Sequence, residues 1–481
     1  MSIHPQHLQQ LASNLRTRRS VLAGAAGAGI AAAMNGMAVN AQTPVASPSA
    51  GTPPSGTPTA EAASYKTVPQ VFASDWNFDF LIALGFTYER GADIGECFAV
   101  AAQIEDGNYE SWVTAWLAMA DRLNGIAQTA ESAGHAVSAS EAYLRASTYY
   151  NTAQWFTLGT SQPDRITEVW TQHKNAFEGF LRNGAYPMEV LEIPYQDDSR
   201  IPAYAILVDD SNEPRPWVIL TNGSDGGYPE SWAAGAAAAL RRGYNALIYV
   251  GPGQNAMLFE DKVYFIADWE TVVTPIVDYL LTRTDVDPDK LVLTGVSQGG
   301  YWAPRAAAFE QRLAAVVADP GVMQVWQSWA SNMPPGVIEG LFNTTGAEQE
   351  QIAKELDEGL AEYAAHDPAL AFQVAFRTYP YGTNVLSDAL LQAKAMDLTD
   401  VARDITIPIM ILDPEGEQFW PGEPQQLYNA VSSENKVLAK FTAAEGADLH
   451  CQPKAIGLRN QVVFDWLDEV LGTVGRATSG G

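Results

Sequence analysis

One stretch in the middle of the chain combines a hydroxyl side chain with a turn that would expose it. Residues 291–294 are a short apolar run, Gly295-Val296-Ser297-Gln298-Gly299 follows, and residues 301–311 have helical character. This is the strand, sharp turn and helix that lifts a serine Oγ off the edge of a sheet. Glycines at 295 and 299 leave room for the close backbone approach that such a turn needs. We therefore predict that Ser297 is a nucleophile.

A serine hydroxyl is a poor nucleophile at neutral pH until a base, itself held by a third group, accepts its proton. In folds with this turn the three groups occur in the order serine, acid, histidine. Of the six histidines, His450 follows both Ser297 and the last predicted strands, so we predict that it is the base. The others lie in the N-terminal segment, in a helical region or in an insertion: His4, His7, His135, His173 and His366.

The acid should follow the strand predicted at residues 407–412. Asp413, Glu415 and Glu417 all lie in the turn beyond it. Since the acid normally sits several residues past the strand, we predict Glu417, with Asp413 as the alternative. Either carboxylate can orient an imidazole and stabilise an imidazolium.

An anion that forms on a carbonyl oxygen needs two backbone N–H donors beside the nucleophile. One comes from the residue after the serine, here Gln298. The other should come from the loop after the strand predicted at 217–221, which reads Asn-Gly-Ser-Asp-Gly-Gly. A glycine-rich loop lets backbone donors point at the developing charge, so we predict Ser224, or else Gly223. No Cys/His cluster has metal-ligand spacing, and we expect neither a metal nor a cofactor.

The elements around these residues alternate between strand and helix. A strand pair is predicted at 188–195 and 200–208, and shorter strands at 217–221, 246–250, 291–294, 313–318, 407–412 and 437–441. Helical patterns between most of them indicate an α/β fold with a mainly parallel sheet flanked by helices. This catalytic domain would span residues 188–475. Its segment 320–404 is too long for a crossover and is predicted to be a helical lid over the site.

Residues 70–187 are predicted to form a separate N-terminal helical domain. Trp112, Trp116, Met119 and Leu123 fall on one helical face, and no strand pattern is present. The segment from Ser138 to Glu141 is predicted to be the capping box that opens a further helix. Four aromatic residues of the two domains are candidates to line a substrate cavity: Tyr149, Tyr150, Tyr301 and Trp302.

The first 69 residues are predicted to form an export signal followed by a linker. Arg18-Arg19, a weakly apolar run at 21–33 and small residues at 39–41 make residues 1–41 a twin-arginine signal peptide. We expect a periplasmic or extracellular protein without a membrane anchor once the signal is cleaved, with an uncleaved anchor as the alternative. Residues 42–69, rich in Pro, Ser and Thr, would be a disordered linker.

Composition narrows the classes of partner. Apolar residues make up 47% of the 481 residues and charged residues 17%, as in globular proteins. A formal charge of −28 argues against nucleic acid, whose phosphates would repel the chain. We expect a small-molecule substrate and leave a homodimer open. Cys97 and Cys451 could form one disulfide at most.

Five segments together carry a family resemblance: GADIGE at 91–96, YLRASTYY at 143–150, GPGQ at 251–254, GVSQGG at 295–300 and EGADLHCQ at 445–452. On these segments the chain, over residues 70–470, resembles α/β-hydrolases of the FrsA-like branch. It is most similar to the group that holds 2,6-dihydroxypseudooxynicotine hydrolase and the fungal heptaketide chain-shortening hydrolases.

The resemblance implies a Ser–acid–His enzyme beneath a helical N-terminal domain. Such enzymes cleave esters, or the C–C bond beside a ketone, in small and often aromatic substrates. The chain departs from the pattern at Glu417, where relatives mostly have Asp, and at 222–224, where relatives often have paired glycines. An exported serine hydrolase is therefore the expected function. The alternatives are an exported peptidase or aminoacyl hydrolase on the same fold, and a non-catalytic binding protein.

Overall fold

The structure is a computed structural model that describes residues 5–15, 70–197, 199–330, 333 and 335–474. The predicted twin-arginine motif, its apolar run and the linker at 42–69 lie outside these ranges. Within them, no helix has both the length and the apolar character needed to cross a membrane.

The N-terminal part of the described chain is helical. Helix α1 (Pro5–Leu15) is followed by five helices that we call the helical module: α2 (Trp76–Gly85), α3 (Ile94–Ala101), α4 (Tyr109–Ser132), α5 (Ala136–Thr157) and α6 (Ile166–Asn183). Trp112 and Trp116, on the predicted apolar face of α4, are fully buried. Helix α5 is buried on nearly every side because it packs between α4 and α6, which turn their apolar faces toward it.

The predicted capping box at Ser138 is wrong. Helix α5 begins at Ala136, directly after a turn in which Gly134 has φ +78°, so Ser138 already lies inside the helix. Gly134 is free to adopt this left-handed conformation because it has no Cβ. The glycine turn, rather than a serine cap, thus sets the start of the helix.

A sheet of eight strands occupies the centre of the chain that follows the helical module. The strands are β1 (Met188–Pro194), β2 (Arg200–Ile206), β3 (Arg215–Thr221), β4 (Asn245–Tyr249), β5 (Val286–Val296), β6 (Ala315–Asp319), β7 (Ile409–Pro414) and β8 (Lys436–Phe441). Their spatial order is β1-β2-β4-β3-β5-β6-β7-β8. From β4 onward neighbouring strands are parallel, whereas β2 is antiparallel to both β1 and β4. The carboxyl ends of β3, β5, β6 and β7 therefore meet at one edge.

Helices cover both faces of this sheet and its carboxyl edge. Those next to the strands are α7 (Tyr228–Ser231), α8 (Ala237–Arg241), α9 (Asn255–Phe259), α10 (Glu270–Leu280) and α11 (Gly299–Phe309). Between β6 and β7 come α12 (Gln327–Ala330), α13 (Pro335–Asn343), α14 (Ala347–Ala364), α15 (Pro368–Thr378) and α16 (Leu386–Lys394), which we call the lid helices. The remaining two are α17 (Glu423–Ala430) and α18 (Ile456–Leu471).

The lid helices contact the helical module through aromatic side chains. The ring of Phe372 on α15 lies 4.6 Å from that of Tyr109 and 5.5 Å from that of Phe156, between centroids. Helix α1, in the segment predicted as the export signal, packs on α14, with Leu11 fully buried and Leu8 over Gly359. The lid is thus held between the helical module and α1.

Candidate active site

Ser297 lies in a sharp turn at the carboxyl end of β5, immediately before α11. Its φ of +57° is in the left-handed region, and its N–H donates to the carbonyl of Asp319 at 2.6 Å. A Cβ at Gly295 would collide with the carbonyl oxygen of Gly299, which accounts for glycine at that position. This is the turn predicted from Gly-x-Ser-x-Gly, and it presents the serine hydroxyl above the sheet edge.

His450 contacts both other predicted members of the group. It follows β8 in a turn, and its Nε2 lies 3.0 Å from Ser297 Oγ. Its Nδ1 lies 2.9 Å from Glu417 Oε2 and 3.0 Å from Oε1. His450 and Glu417 are 6% and 8% exposed, so bulk water competes little for these hydrogen bonds. An Nδ1–H that donates to the carboxylate leaves Nε2 free to accept the serine proton.

The carboxylate that contacts His450 is Glu417 and not Asp413. Glu417 Oε1 also accepts from the N–H groups of Phe419, at 2.8 Å, and Trp420, at 3.2 Å. Burial raises the pKa of Glu417, but the charge of His450 and these hydrogen bonds outweigh it, and the net pKa lies below the ordinary value. Asp413, at the end of β7, pairs instead with Lys440 on β8.

The loop at 222–227 lies against the serine. A Cβ on Gly223 would come 2.7 Å from Ser297 Cβ, so the backbone passes directly beside the nucleophile. The N–H of Gly223 donates to the Asn222 side chain at 2.8 Å. Within the described part of the chain, the N–H groups of Ser224 and Gln298 have no protein acceptor. Both N–H groups are therefore free to donate to a ligand, whereas the Gly223 N–H already has an acceptor.

A buried ion pair lies behind the nucleophile. Asp319, at the end of β6, accepts from Arg459 Nε at 3.0 Å and from Gln452 Nε2 at 3.1 Å, and its own carbonyl holds Ser297 N–H. Sequence reasoning gave these residues no role. Gln452 stood in a segment that carried the family resemblance, but nothing in the sequence pairs residue 319 with residue 459.

A cavity of about 250 Å³ opens above Ser297 and His450, between the sheet edge, the helical module and the lid. Most of its lining is apolar, including Phe78, Ile82, Trp155, Leu258, Phe259, Phe265, Trp329, Phe376, Phe419 and Trp420. The buried polar atoms of lining residues that have no hydrogen-bond partner among the described residues include Gln154 Oε1 and Gln373 Oε1. Such groups orient ligands in apolar sites.

The four aromatic residues predicted to line the cavity do not. The hydroxyl groups of Tyr149 and Tyr150 donate to Glu96 at 2.8 Å and to Asp121 at 2.6 Å, inside the helical module. The Tyr301 hydroxyl donates to the Ala267 carbonyl, and Trp302 stacks on Trp269 at 4.2 Å between centroids. All four are fully buried core residues on elements next to the cavity.

The described residues contain no group of three or more His, Cys, Asp or Glu side chains able to hold a metal ion. Cys97 and Cys451 are both free thiols, so they form no disulfide with each other. Burial raises the pKa of Cys97 to about 12, which keeps that thiol protonated at neutral pH.

Comparison with known proteins assigns the family, although no protein-family model matches the chain. The hydrolase LUC6 of Fusarium sp. is 30% identical over 84% of this chain and 98% of its own length. The hydrolase acrC of Aspergillus aculeatus is 32% identical over 84% and 98%, and the α/β-hydrolase psoB of Aspergillus fumigatus is 29% identical over 84% and 95%. The chain belongs to the α/β-hydrolases.

Solved structures agree with this fold. The 2,6-dihydroxy-pseudo-oxynicotine hydrolase matches with a TM-score of 0.63 and 21% identity, over 82% of this chain and 97% of that one. AbyA5 matches with a TM-score of 0.55 and 18% identity, over 81% and 95%. These structures confirm the predicted α/β fold. The curated relatives confirm the predicted family and show that the protein is a hydrolase of this superfamily.

Proposed function

We propose that this hydrolase is a serine enzyme in which Ser297, His450 and Glu417 act as nucleophile, base and orienting acid. The bond that it cleaves would be an ester bond, or a C–C bond beside a ketone, in a small aromatic or hydrophobic substrate. The observation that carries the proposal is the unbroken chain of hydrogen bonds from Ser297 Oγ through His450 to Glu417, at 3.0 Å and 2.9 Å. Ser297 and His450 line an apolar cavity that such a substrate would fill.

In the first half of the reaction Ser297 Oγ adds to the substrate carbonyl while His450 Nε2 takes the hydroxyl proton. Glu417 stabilises the imidazolium, and the N–H groups of Gln298 and Ser224 donate to the oxygen anion. The tetrahedral intermediate then collapses to an acyl-serine. His450 returns its proton to the leaving group, an alkoxide for an ester or a carbanion for a C–C substrate.

In the second half a water molecule attacks the acyl-serine while His450 accepts one of its protons. The acid product leaves after His450 protonates Ser297 Oγ. A carbanion leaving group needs an adjacent aromatic ring or second carbonyl to hold its charge, so the C–C substrates of choice are aryl or β-dicarbonyl ketones.

The polar atoms of the cavity support a substrate that carries hydroxyl or carbonyl groups on an apolar frame. Gln154 on α5 and Gln373 on α15 are 8% and 3% exposed, and each has an unpartnered carboxamide oxygen. An unpaired buried acceptor costs about 1–3 kcal/mol, which a ligand donor would recover. A similar protein from Gibberella moniliformis, 30% identical over 83% of this chain and 97% of its own length, is named 20-hydroxy-prefusarin hydrolase, and that name is consistent with this class.

Activity-based labelling combined with a substrate panel tests the function. A fluorophosphonate should label the purified wild-type protein on Ser297, identified by peptide mass spectrometry. The panel should contain p-nitrophenyl esters, aryl diketones and aminoacyl amides, each with and without phenolic hydroxyls. We expect turnover of esters or diketones with a preference of about tenfold or more for hydroxylated members. Preferred cleavage of the amides would favour the peptidase alternative, and an unlabelled, inactive protein would favour the binding protein.

We also propose export by the twin-arginine route to the periplasm or the extracellular space. The support is the Arg18-Arg19 pair before a weakly apolar run. The double variant Arg18→Lys, Arg19→Lys should keep the protein in the cytoplasmic fraction, because the pathway reads that pair. Fractionation and immunoblotting of wild type and variant in a bacterial host with this pathway would measure it, with Arg16→Lys as the matched control. Equal distribution of all three proteins would contradict the export proposal.

A further inference from the structure

The helical module contacts the loop at 222–227 through polar side chains, and not only through its apolar surface. Asn151 on α5 donates from Nδ2 to Glu230 Oε1 at 3.1 Å and Oε2 at 3.2 Å. Glu230 in turn accepts from the N–H of Gly227, the last residue of the loop. A side chain of the helical module therefore holds the loop through one intermediate carboxyl group.

His173 on α6 makes a second contact at the same place. Its Nδ1 lies 2.9 Å from the Ser147 carbonyl, and its Nε2 lies 3.3 Å from the N–H of Tyr228. An Nδ1–H that donates to that carbonyl leaves Nε2 to accept from Tyr228. Burial lowers the pKa of His173 to about 4, so the ring stays neutral and keeps this arrangement at neutral pH.

A third contact runs through Asn255, the first residue of α9. Trp170 Nε1 donates to Asn255 Oδ1 at 3.2 Å, and Asn255 Nδ2 donates to the Gly226 carbonyl at 3.0 Å. The fit is close, because a Cβ on Gly227 would lie 2.5 Å from Asn151 Oδ1 and 2.8 Å from His173 Nε2. Three side chains of the helical module thus fix the end of a loop whose start lies against Ser297.

We infer that the helical module positions the oxyanion hole, with Asn151 and His173 as the positioning residues that hold the 222–227 loop so that Ser224 N–H points at the reacting oxygen. This inference rests on the proposed function. Among the described residues the loop has two further ties: Gln254 Nε2 donates to the carbonyls of Asn222 and Gly223 at 3.0 and 2.7 Å, and Asn222 Nδ2 donates to the Gly227 carbonyl at 2.6 Å. Burial raises the pKa of Glu230 to about 8, so this carboxyl group is mostly protonated at pH 7. It therefore does not repel the oxygen anion that forms in the oxyanion hole.

The decisive variant is Asn151→Ala, with Asn183→Ala as its matched control. Asn183 also donates its Nδ2 to a glutamate, Glu131 at 2.9 Å, but inside the helical module and away from the loop. Asn151→Ala should lower kcat for p-nitrophenyl acetate by about 10- to 100-fold, because a small displacement of an oxyanion donor costs that much. KM should change by less than about threefold, because the Ser224 N–H donor stabilises the transition state more than it stabilises the bound substrate.

Fluorophosphonate labelling provides the second readout, because phosphonylation of the serine also develops charge on an oxygen in the same hole. Its rate constant should fall by the same factor as kcat in Asn151→Ala and stay near wild type in Asn183→Ala. Gly227→Ala, which forces the loop away from Asn151 and His173, should repeat the defect and covers the case in which Asn151→Ala fails to fold.

The outcomes separate this inference from the function on which it rests. An active wild type with an unaffected Asn151→Ala, or an equal loss in Asn183→Ala, would overturn the inference and leave the serine mechanism intact. A loss seen in KM alone would also overturn it, because that pattern indicates substrate binding. A wild-type protein that neither labels nor hydrolyses would overturn the proposed function itself.

Discussion

Ser297→Ala is expected to lower kcat/KM on the best substrate of the panel by about 10⁴- to 10⁶-fold, because the members of such a triad act as a unit. The change removes the hydroxyl oxygen that lies 3.0 Å from His450 Nε2 and that the turn at φ +57° presents to the cavity. Fluorophosphonate labelling should disappear, while substrate binding persists. Steady-state kinetics of purified protein, with circular dichroism to verify folding, would measure the loss.

The matched control is Ser433→Ala. Ser433 is also buried, at 3% exposed, and its hydroxyl has no partner among the described residues. It lies outside the cavity, so its removal should leave kcat/KM within about twofold, as for substitutions away from any functional contact. Turnover by Ser297→Ala close to that of this control would remove the serine from the mechanism.

Glu417→Gln should have the second-largest effect, a fall in kcat of about 10³- to 10⁴-fold. A carboxamide can present an N–H to His450 Nδ1, which moves the ring proton to Nε2 and leaves no lone pair for the Ser297 proton. The wild-type Glu417 carboxylate stays charged over a wide range of pH. Since its folded pKa lies below the ordinary value, the support it gives to His450 is lost only as pH falls through that lowered pKa.

Asp413→Asn tests the competing assignment directly. Asp413 pairs with Lys440 across β7 and β8 and has no contact with His450, so kcat should stay within about threefold of wild type. Parallel pH–rate profiles of the two variants would compare them on one substrate. If Asp413→Asn were the inactive variant and Glu417→Gln the active one, the acid would have to be reassigned.

The contacts among Ser297, His450 and Glu417 could be predicted because chain order and strand ends strongly constrain where these side chains lie. Ser297 follows a strand directly, and His450 is the histidine beyond the last strand. The choice of Glu417 over Asp413 rested on distance past the strand. The structure brings Glu417 to His450, since a residue at the end of β7 itself points at the neighbouring strand.

The surroundings were less predictable, because they depend on contacts between distant parts of the chain. Tyr149 and Tyr150 were expected in the cavity, but each hydroxyl finds a carboxylate inside the helical module. Asp319 and Arg459 form a fully buried pair across 140 residues, which no local pattern can signal. The predicted start of α5 at Ser138 was wrong because the preceding turn, with Gly134 in the left-handed conformation, lets the helix begin two residues earlier, at Ala136.

Phe372 on α15 joins the lid helices to Tyr109 and Phe156 of the helical module by ring contacts of the kind found in a protein core. A substrate that entered between α15 and the helical module would have to part these rings and expose them to water, which costs about 1.5–3 kcal/mol for a buried aromatic side chain. By that route, ring contacts that stabilise the fold would also slow the entry of each substrate and the release of each product. Thermal stability and turnover rate would then be coupled at the contact between α15 and the helical module, and selection for one would act against the other.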